Sequence, residues 1–178
     1  MPIPRFAFTT KFNKRVNVLE NEVGISESCD LESVEVRPEI VQFKAIWDTG
    51  ASCSCISQNV VKSLNLSEID KAINNTANGI REAGVYLINI YLPNKVVFPG
   101  VRVIDAKLLG TTDILIGMDI INQGDLAITH KKENTWMTFQ VPSSHSIDFV
   151  EEIGKENAKL KAKRARKSNR KKKPRYKR

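Results

Sequence analysis

Apolar and polar positions alternate with a period of two over much of this chain. In Val41-Gln-Phe-Lys-Ala-Ile-Trp47 the apolar Val41, Phe43, Ala45 and Trp47 share one face, the pattern of a half-buried strand. Residues 15–18 and 32–36 alternate more briefly. Residues 85–92 and 96–104 are rich in β-branched and aromatic side chains, and Pro93-Asn94 supplies a turn between them. Residues 125–129 and 135–141 flank a hairpin turn at 131–134. Helical spacing is confined to 57–66, where Ser57 offers an N-cap and Val60, Val61 and Leu64 recur, and to a short turn at 118–122. Many short strands separated by turn signals indicate a mostly β fold, a sandwich or a barrel.

After Pro142 the pattern changes. Residues 146–167 are rich in Glu, Lys, Ala and Arg and are helix-compatible on a partner, but beyond Leu160 nothing could build a core. The expected division is an N-terminal strand or arm at 1–29, a β domain at 30–142, and a charged, disordered or helical tail at 143–178. Charge sharpens this division. The 178 residues carry 28 Lys plus Arg, 20 Asp plus Glu and a net charge of +8. Residues 155–178 hold 14 of those basic residues and a single acid, Glu156, so the tail carries +13 and the remainder −5. The body is mildly acidic, and the basic character belongs to the tail.

Several classes are disfavoured. No apolar run approaches the roughly 20 residues of a membrane span, and the first residues lack the apolar stretch of a secretory signal. Three cysteines, Cys29, Cys53 and Cys55, are too few and odd in number for a disulfide framework. With His130 and His145 as the two histidines, a zinc site would need unusual ligands. A cytoplasmic, reduced, metal-free protein is the default expectation.

Two segments carry chemistry. The strand ending at Trp47 runs into Asp48-Thr49-Gly50-Ala51: a carboxylate at a turn, a compact hydroxyl, and a glycine that permits close approach. Alone, this triplet is also an ordinary strand-to-turn junction. The second segment is Asp113-Ile-Leu-Ile116-Gly117-Met118-Asp119, whose Gly117 lies 69 residues after Asp48. Together, in this order, the two resemble the retropepsin-like (retroviral-type) aspartic proteases, with a Gly-Met-Asp ending closer to the bacterial and ubiquitin-shuttle branches. The resemblance covers roughly residues 30–140. It implies a closed β barrel with a flap hairpin and one or two short helices, one lobe per chain. It implies Asp48 as the catalytic acid, Thr49, Gly50 and Ala51 as the active-site turn, and Ile116, Gly117 and Asp119 as the supporting motif. The flap would span 74–85, with Asn78, Gly79 and Ile80 near its tip. Viral members often pair an acid after Asp-Thr-Gly-Ala with an arginine after the second glycine; this chain has Ser52 and Met118 there, so both halves of that ion pair are absent.

Peptide hydrolysis by this chemistry needs two carboxylates sharing one proton. The chain has one Asp-Thr-Gly, so the expected solution is a homodimer with an isologous interface, acting on peptide or unfolded protein with no cofactor. The competing reading is a catalytically silent protease-fold module that binds peptides or dimerises, tethered to nucleic acid by its tail. Residues 155–178 suit non-specific contact with nucleic acid or ribosomes, localisation, or folding back over the acidic body; with Tyr176 as the one aromatic there, no base-reading platform exists. Cys53-Ser-Cys55 reads as small residues packed behind the turn. Asp119 also fits a helix N-terminal carboxylate, the two histidines fit the surface, and Trp47 fits the core or an interface.

Overall fold

The computed structural model describes residues 4–29, 38–76, 79–108 and 110–171. The chain divides into two compact units, Met1–Ser144 and His145–Arg178. Among its described residues the first unit has ten strands and two short helices: β1 (Phe6–Lys11), β2 (Glu20–Glu27), β3 (Val41–Trp47), β4 (Cys55–Ile56), α1 (Gln58–Ser63), β5 (Asp70–Thr76), β6 (Gly79–Tyr91), β7 (Val97–Asp105), β8 (Ile114–Ile116), α2 (Met118–Ile121), β9 (Asp125–Lys131) and β10 (Asn134–Val141). The second holds one helix, α3 (Phe149–Lys171).

Six strands in the order β2-β3-β8-β4-β7-β6 close a barrel, because β6 pairs back onto β2; β5 extends the sheet beyond β6. The mostly β architecture follows from the alternation. In β3, Phe43, Ala45 and Trp47 point inward while Gln42 and Lys44 face solvent. Ile114 and Ile116 of β8, with Ile25, Ile56, Ile88 and Ile90, fill the interior and are fully buried. Closure bends β6. A register shift against β7 between Ile88 and Ile90 leaves Asn89 buried inside the barrel wall. Its Oδ1 accepts the amide of Gly100 at 2.9 Å, where Gly100 adopts φ +61°, so a side chain supplies the hydrogen bond that the bulge removes from the ladder.

A second sheet, β1-β10-β9, pairs strands near the two ends of the first unit, with Phe6 opposite Val141. Its inner face meets the barrel through an aromatic triangle. Phe139 lies 4.9 Å from the Trp47 ring and 6.3 Å from Phe8, and Phe8 lies 5.8 Å from Trp47. The β9–β10 turn is Lys132-Glu133, both at positive φ, as a two-residue hairpin connection requires.

Two expectations need correction or relocation. Residues 15–18 do not form a strand: the amides of Phe12 and Val16 bond to the Thr135 carbonyl and hydroxyl, and the Lys14 carbonyl accepts the Thr135 amide. This loop therefore spends its backbone groups on one residue of β10 rather than on a ladder. The strand expected at 32–36 lies outside the described residues. Within 1–29, β1 and β2 both belong to the first unit, β2 as a stave of the barrel. The tail helix α3 starts at Asp148, whose Oδ1 accepts the amides of Val150 and Glu151 at 2.9 and 3.1 Å. Every described side chain on it is exposed.

Removing the ring of the fully buried Phe139 leaves a void between the two sheets. Phe139→Ala is expected to lower unfolding free energy by about 3–5 kcal/mol in urea titration. The exposed Ile73 should tolerate alanine to within about 0.5 kcal/mol.

Candidate active site

The site is built where two parallel strands end side by side. β3 and β8 pair in parallel, with Ala45 opposite Ile114 and Trp47 opposite Ile116. Their following turns, Asp48-Thr49-Gly50-Ala51 and Gly117-Met118, therefore emerge at one end of the barrel. Three backbone bonds lock them: Asp48 N–H to the Ile116 carbonyl at 2.9 Å, Ala51 N–H to the Asp48 carbonyl at 3.3 Å, and Met118 N–H to the Ala51 carbonyl at 2.8 Å. Gly117 permits this approach, since a Cβ there would lie 2.6 Å from the Cys53 carbonyl carbon and 2.7 Å from its oxygen.

Asp48 is half-buried at the mouth of this turn, and Thr49 and Gly50 are exposed. The Gly50 amide donates to Asp48 Oδ1 at 2.8 Å, which orients the carboxylate. A Cβ on residue 50 would stand 3.1 Å from the same oxygen. Among the described residues Oδ2 has no donor. Such an arrangement presents one carboxylate oxygen to incoming water or to a second carboxylate. Behind it, Trp47 Nε1 donates to Asn21 Oδ1 at 2.7 Å.

Sequence reasoning missed the residue that joins the two turns. Ser54 is fully buried. Its hydroxyl donates to Asp119 Oδ1 at 2.8 Å and accepts the Gly117 amide at 3.0 Å, while its own amide donates to Asp119 Oδ2 at 3.0 Å. Asp119 Oδ1 also accepts the Ile120 amide at 3.0 Å. Asp119 thus holds the first turn of α2 and cross-links it to the segment after Asp48. It performs positional work in a chain whose Ser52 and Met118 cannot form an ion pair. The signal was present in the sequence, as a serine six residues after the aspartate, but serine at a turn is too common to stand out.

Of the other expected residues, Ile116 is buried beneath the turn. Gly79 and Ile80 lie on β6, paired with Thr76 and Asn75 of β5, which forms the expected hairpin; Asn78 lies outside the described residues. Cys53 and Cys55 are free thiols. Burial pushes the Cys55 thiol up to about 12, helped by the adjacent Cys53 and by the Asp119 and Asp48 carboxylates. This thiol stays protonated and inert at neutral pH, as a packing residue should. His130 is exposed, with Nδ1 3.0 Å from the Thr135 hydroxyl.

A closed six-strand barrel with an Asp-Thr-Gly turn locked against an apolar-apolar-Gly element defines an aspartic protease lobe of the retropepsin-like class. The family model described as "gag-polyprotein putative aspartyl protease" matches residues 34–123, half of the chain, and the chain belongs to this family. Similar solved structures include a retropepsin-like aspartic protease from Rickettsia conorii, 13% identical over 78% of this chain and 96% of its own, with a TM-score of 0.48. The EIAV protease bound to the inhibitor HBY-793 is 16% identical over 59% of this chain and 86% of its own, at 0.43. The retroviral protease-like domain of Ddi1 from Leishmania major is 16% identical over 68% and 94%, at 0.38. No curated protein sequence matches the chain.

Two outcomes follow from this packing. Gly117→Ala should cost about 1–3 kcal/mol, since its methyl meets backbone rather than a movable side chain; thermal or urea unfolding reads the loss. Cys55 should resist iodoacetamide at pH 8 in the folded protein and react once unfolded. Mass spectrometry after a timed pulse checks this, and rapid labelling of native Cys55 would contradict the burial.

Proposed function

We propose that the chain is an aspartic endopeptidase that acts as a homodimer, each subunit contributing Asp48. The observation that carries this reading is the Asp48 turn: a half-buried carboxylate oriented by the Gly50 amide, on a turn held from behind by Gly117. One Asp-Thr-Gly per chain supports the second copy. In the dimer the paired Asp48 carboxylates share one proton, because two like charges a few ångströms apart cannot both ionise cheaply. One carboxylate takes a proton from the attacking water, and the other donates to the carbonyl oxygen of the scissile bond. Thr49 and Gly50 shape the turn, Ala51, Ile116, Gly117 and Asp119 support it, and the β5–β6 hairpin, with Gly79 and Ile80 near its tip, closes over an extended peptide. No cofactor enters this scheme.

The tail has a separate task in this reading. α3 exposes all its described side chains, and 155–178 carry +13, which supports contact with phosphate-rich partners such as RNA or ribosomes rather than a part in the chemistry. No described helix is long and apolar enough to cross a membrane.

The test is hydrolysis of unfolded protein substrates between about pH 4 and 7, the range a shared-proton dyad spans. Asp48→Asn is expected to abolish cleavage while keeping the circular dichroism spectrum and sedimentation of the wild type. Full activity in that variant removes Asp48 from the mechanism. A folded wild type that is inert at every pH favours the silent peptide-binding module.

A further inference from the structure

The β5–β6 hairpin leaves the barrel at a definite residue. Along β6, pairing with β7 runs to Val85 opposite Ile104. From Gly84 to Gly79, β6 pairs with β5, so this stretch projects as a two-stranded arm. A lone hairpin is marginal in water, and its direction is therefore set at its root. The residue after Ile104 is Asp105, buried with 5% exposure. Its backbone is committed to the other neighbour, in register with Ile56 of β4, and the Ala106 amide donates to the Ile56 carbonyl at 2.8 Å.

On the β6 side the Asp105 side chain continues where the backbone ladder stops. Oδ1 accepts the Gly84 amide at 2.5 Å, and Oδ2 accepts Gln58 Nε2 at 2.8 Å. One carboxylate thus joins the hairpin root, the end of β7 and the first residue of α1. Helix α1 is tied in turn to the site strands: its N-cap Ser57 donates from its amide to the Asp113 carbonyl at 2.8 Å and from its hydroxyl to Asp113 Oδ1 at 3.0 Å, one residue before β8. Hydrogen bonds to an ionised acceptor are stronger than neutral ones. Here one such bond falls on the amide at which the arm begins.

The surroundings fit a pivot. A pocket of about 250 Å³ lies beside the latch, lined by Glu68, Lys71, Glu82 and Tyr86 as well as by the latch residues. Residue 84 is crowded by flexible groups, with the Glu68 carboxylate and Tyr86 hydroxyl each 2.7 Å from where a Cβ would stand. Burial, and then the nearby Asp105 and Glu68 charges, raise the Tyr86 hydroxyl above its ordinary value. It stays protonated and adds no competing anion.

We propose that Asp105 is a positioning residue for the hairpin: its carboxylate latches the Gly84 amide and Gln58, and so sets the closed pose of the arm over the substrate groove. The assignment of a substrate groove rests on the protease reading above; the latch itself does not.

The decisive variants keep side-chain size. Gln58→Glu sets a second carboxylate against Asp105 and should open the latch. Combining it with Asp105→Asn restores a donor–acceptor pair in the reverse sense, with the new amide donating to Glu and still accepting from Gly84. Two readouts are needed. Hydrogen exchange of amides 79–84, measured in the full-length Asp48→Asn protein, should quicken about tenfold with Gln58→Glu and return to within twofold in the double variant. In the active protein, KM for a peptide substrate should rise about tenfold at nearly constant kcat and recover likewise. Unchanged exchange in Gln58→Glu overturns the latch. So does a loss that the double variant fails to rescue while the melting temperature falls in parallel, since that marks a merely structural residue. If the wild type hydrolyses nothing, the protease reading fails, and the exchange measurement still decides the latch.

Discussion

The active-site architecture depends on a steric constraint at residue 117. β3 and β8 run in parallel, so the turns that follow them must pass each other at one end of the barrel, and there is space for the crossing only without a Cβ on Gly117. Once the turns are in contact, their backbones exchange hydrogen bonds, and Ser54 and Asp119 join them from behind. The position of Asp48 follows from this contact, because its amide is bonded to the last residue of β8. Polar groups buried at the crossing are satisfied by one another, which is the condition for rigidity in a low-dielectric interior.

Around this fixed point the first unit combines a closed barrel with a two-stranded arm that extends from it. The barrel wall is a continuous ladder closed on itself, with isoleucines filling the interior and Asn89 repairing the hydrogen bond lost at the bulge. The three-stranded sheet backs Trp47 through the tilted rings of Phe8 and Phe139. Beyond Gly84 the β5–β6 arm pairs, among the described residues, with no third strand. On the proposed reading this suits the work: a carboxylate must stay within a fraction of an ångström of its place, while a cover must open for peptide to enter.

Much of the fold was legible from residue pattern. The alternation in 41–47, the Ser57 cap and the 131–134 turn each have a local physical cause, and the structure places β3, α1 and the β9–β10 hairpin there. The pair of glycine-containing motifs was also legible, because Gly117 is required by close approach to backbone rather than by propensity, and Gly50 sits tight against the Asp48 carboxylate. What escaped notice depends on distant partners. Residues 15–18 alternate, but Thr135, far away in the chain, takes the Val16 amide and holds the neighbouring loop through Phe12 and Lys14. β1 and β2 carry Thr, Lys, Glu and Asn, and become strands because β10, β3 and β6 offer them edges. Gln58 and Asp105 have no local signature, and that of Ser54 is too common to stand out; each matters for what it meets in space, and periodicity does not record that.

The pairing of Phe6 with Val141 has a consequence in time. Strands 135 residues apart in the chain must meet before the support beneath Trp47 is complete, and contacts of such separation form late because a long loop must close first. During synthesis the N-terminal strand waits for its partner until nearly the whole first unit has left the ribosome. A nascent chain short of β10 leaves Trp47, the residue before Asp48, without Phe139 against it. Completion of the last strand, immediately before the basic tail is made, is then the event that turns a growing polypeptide into a finished protease-fold lobe.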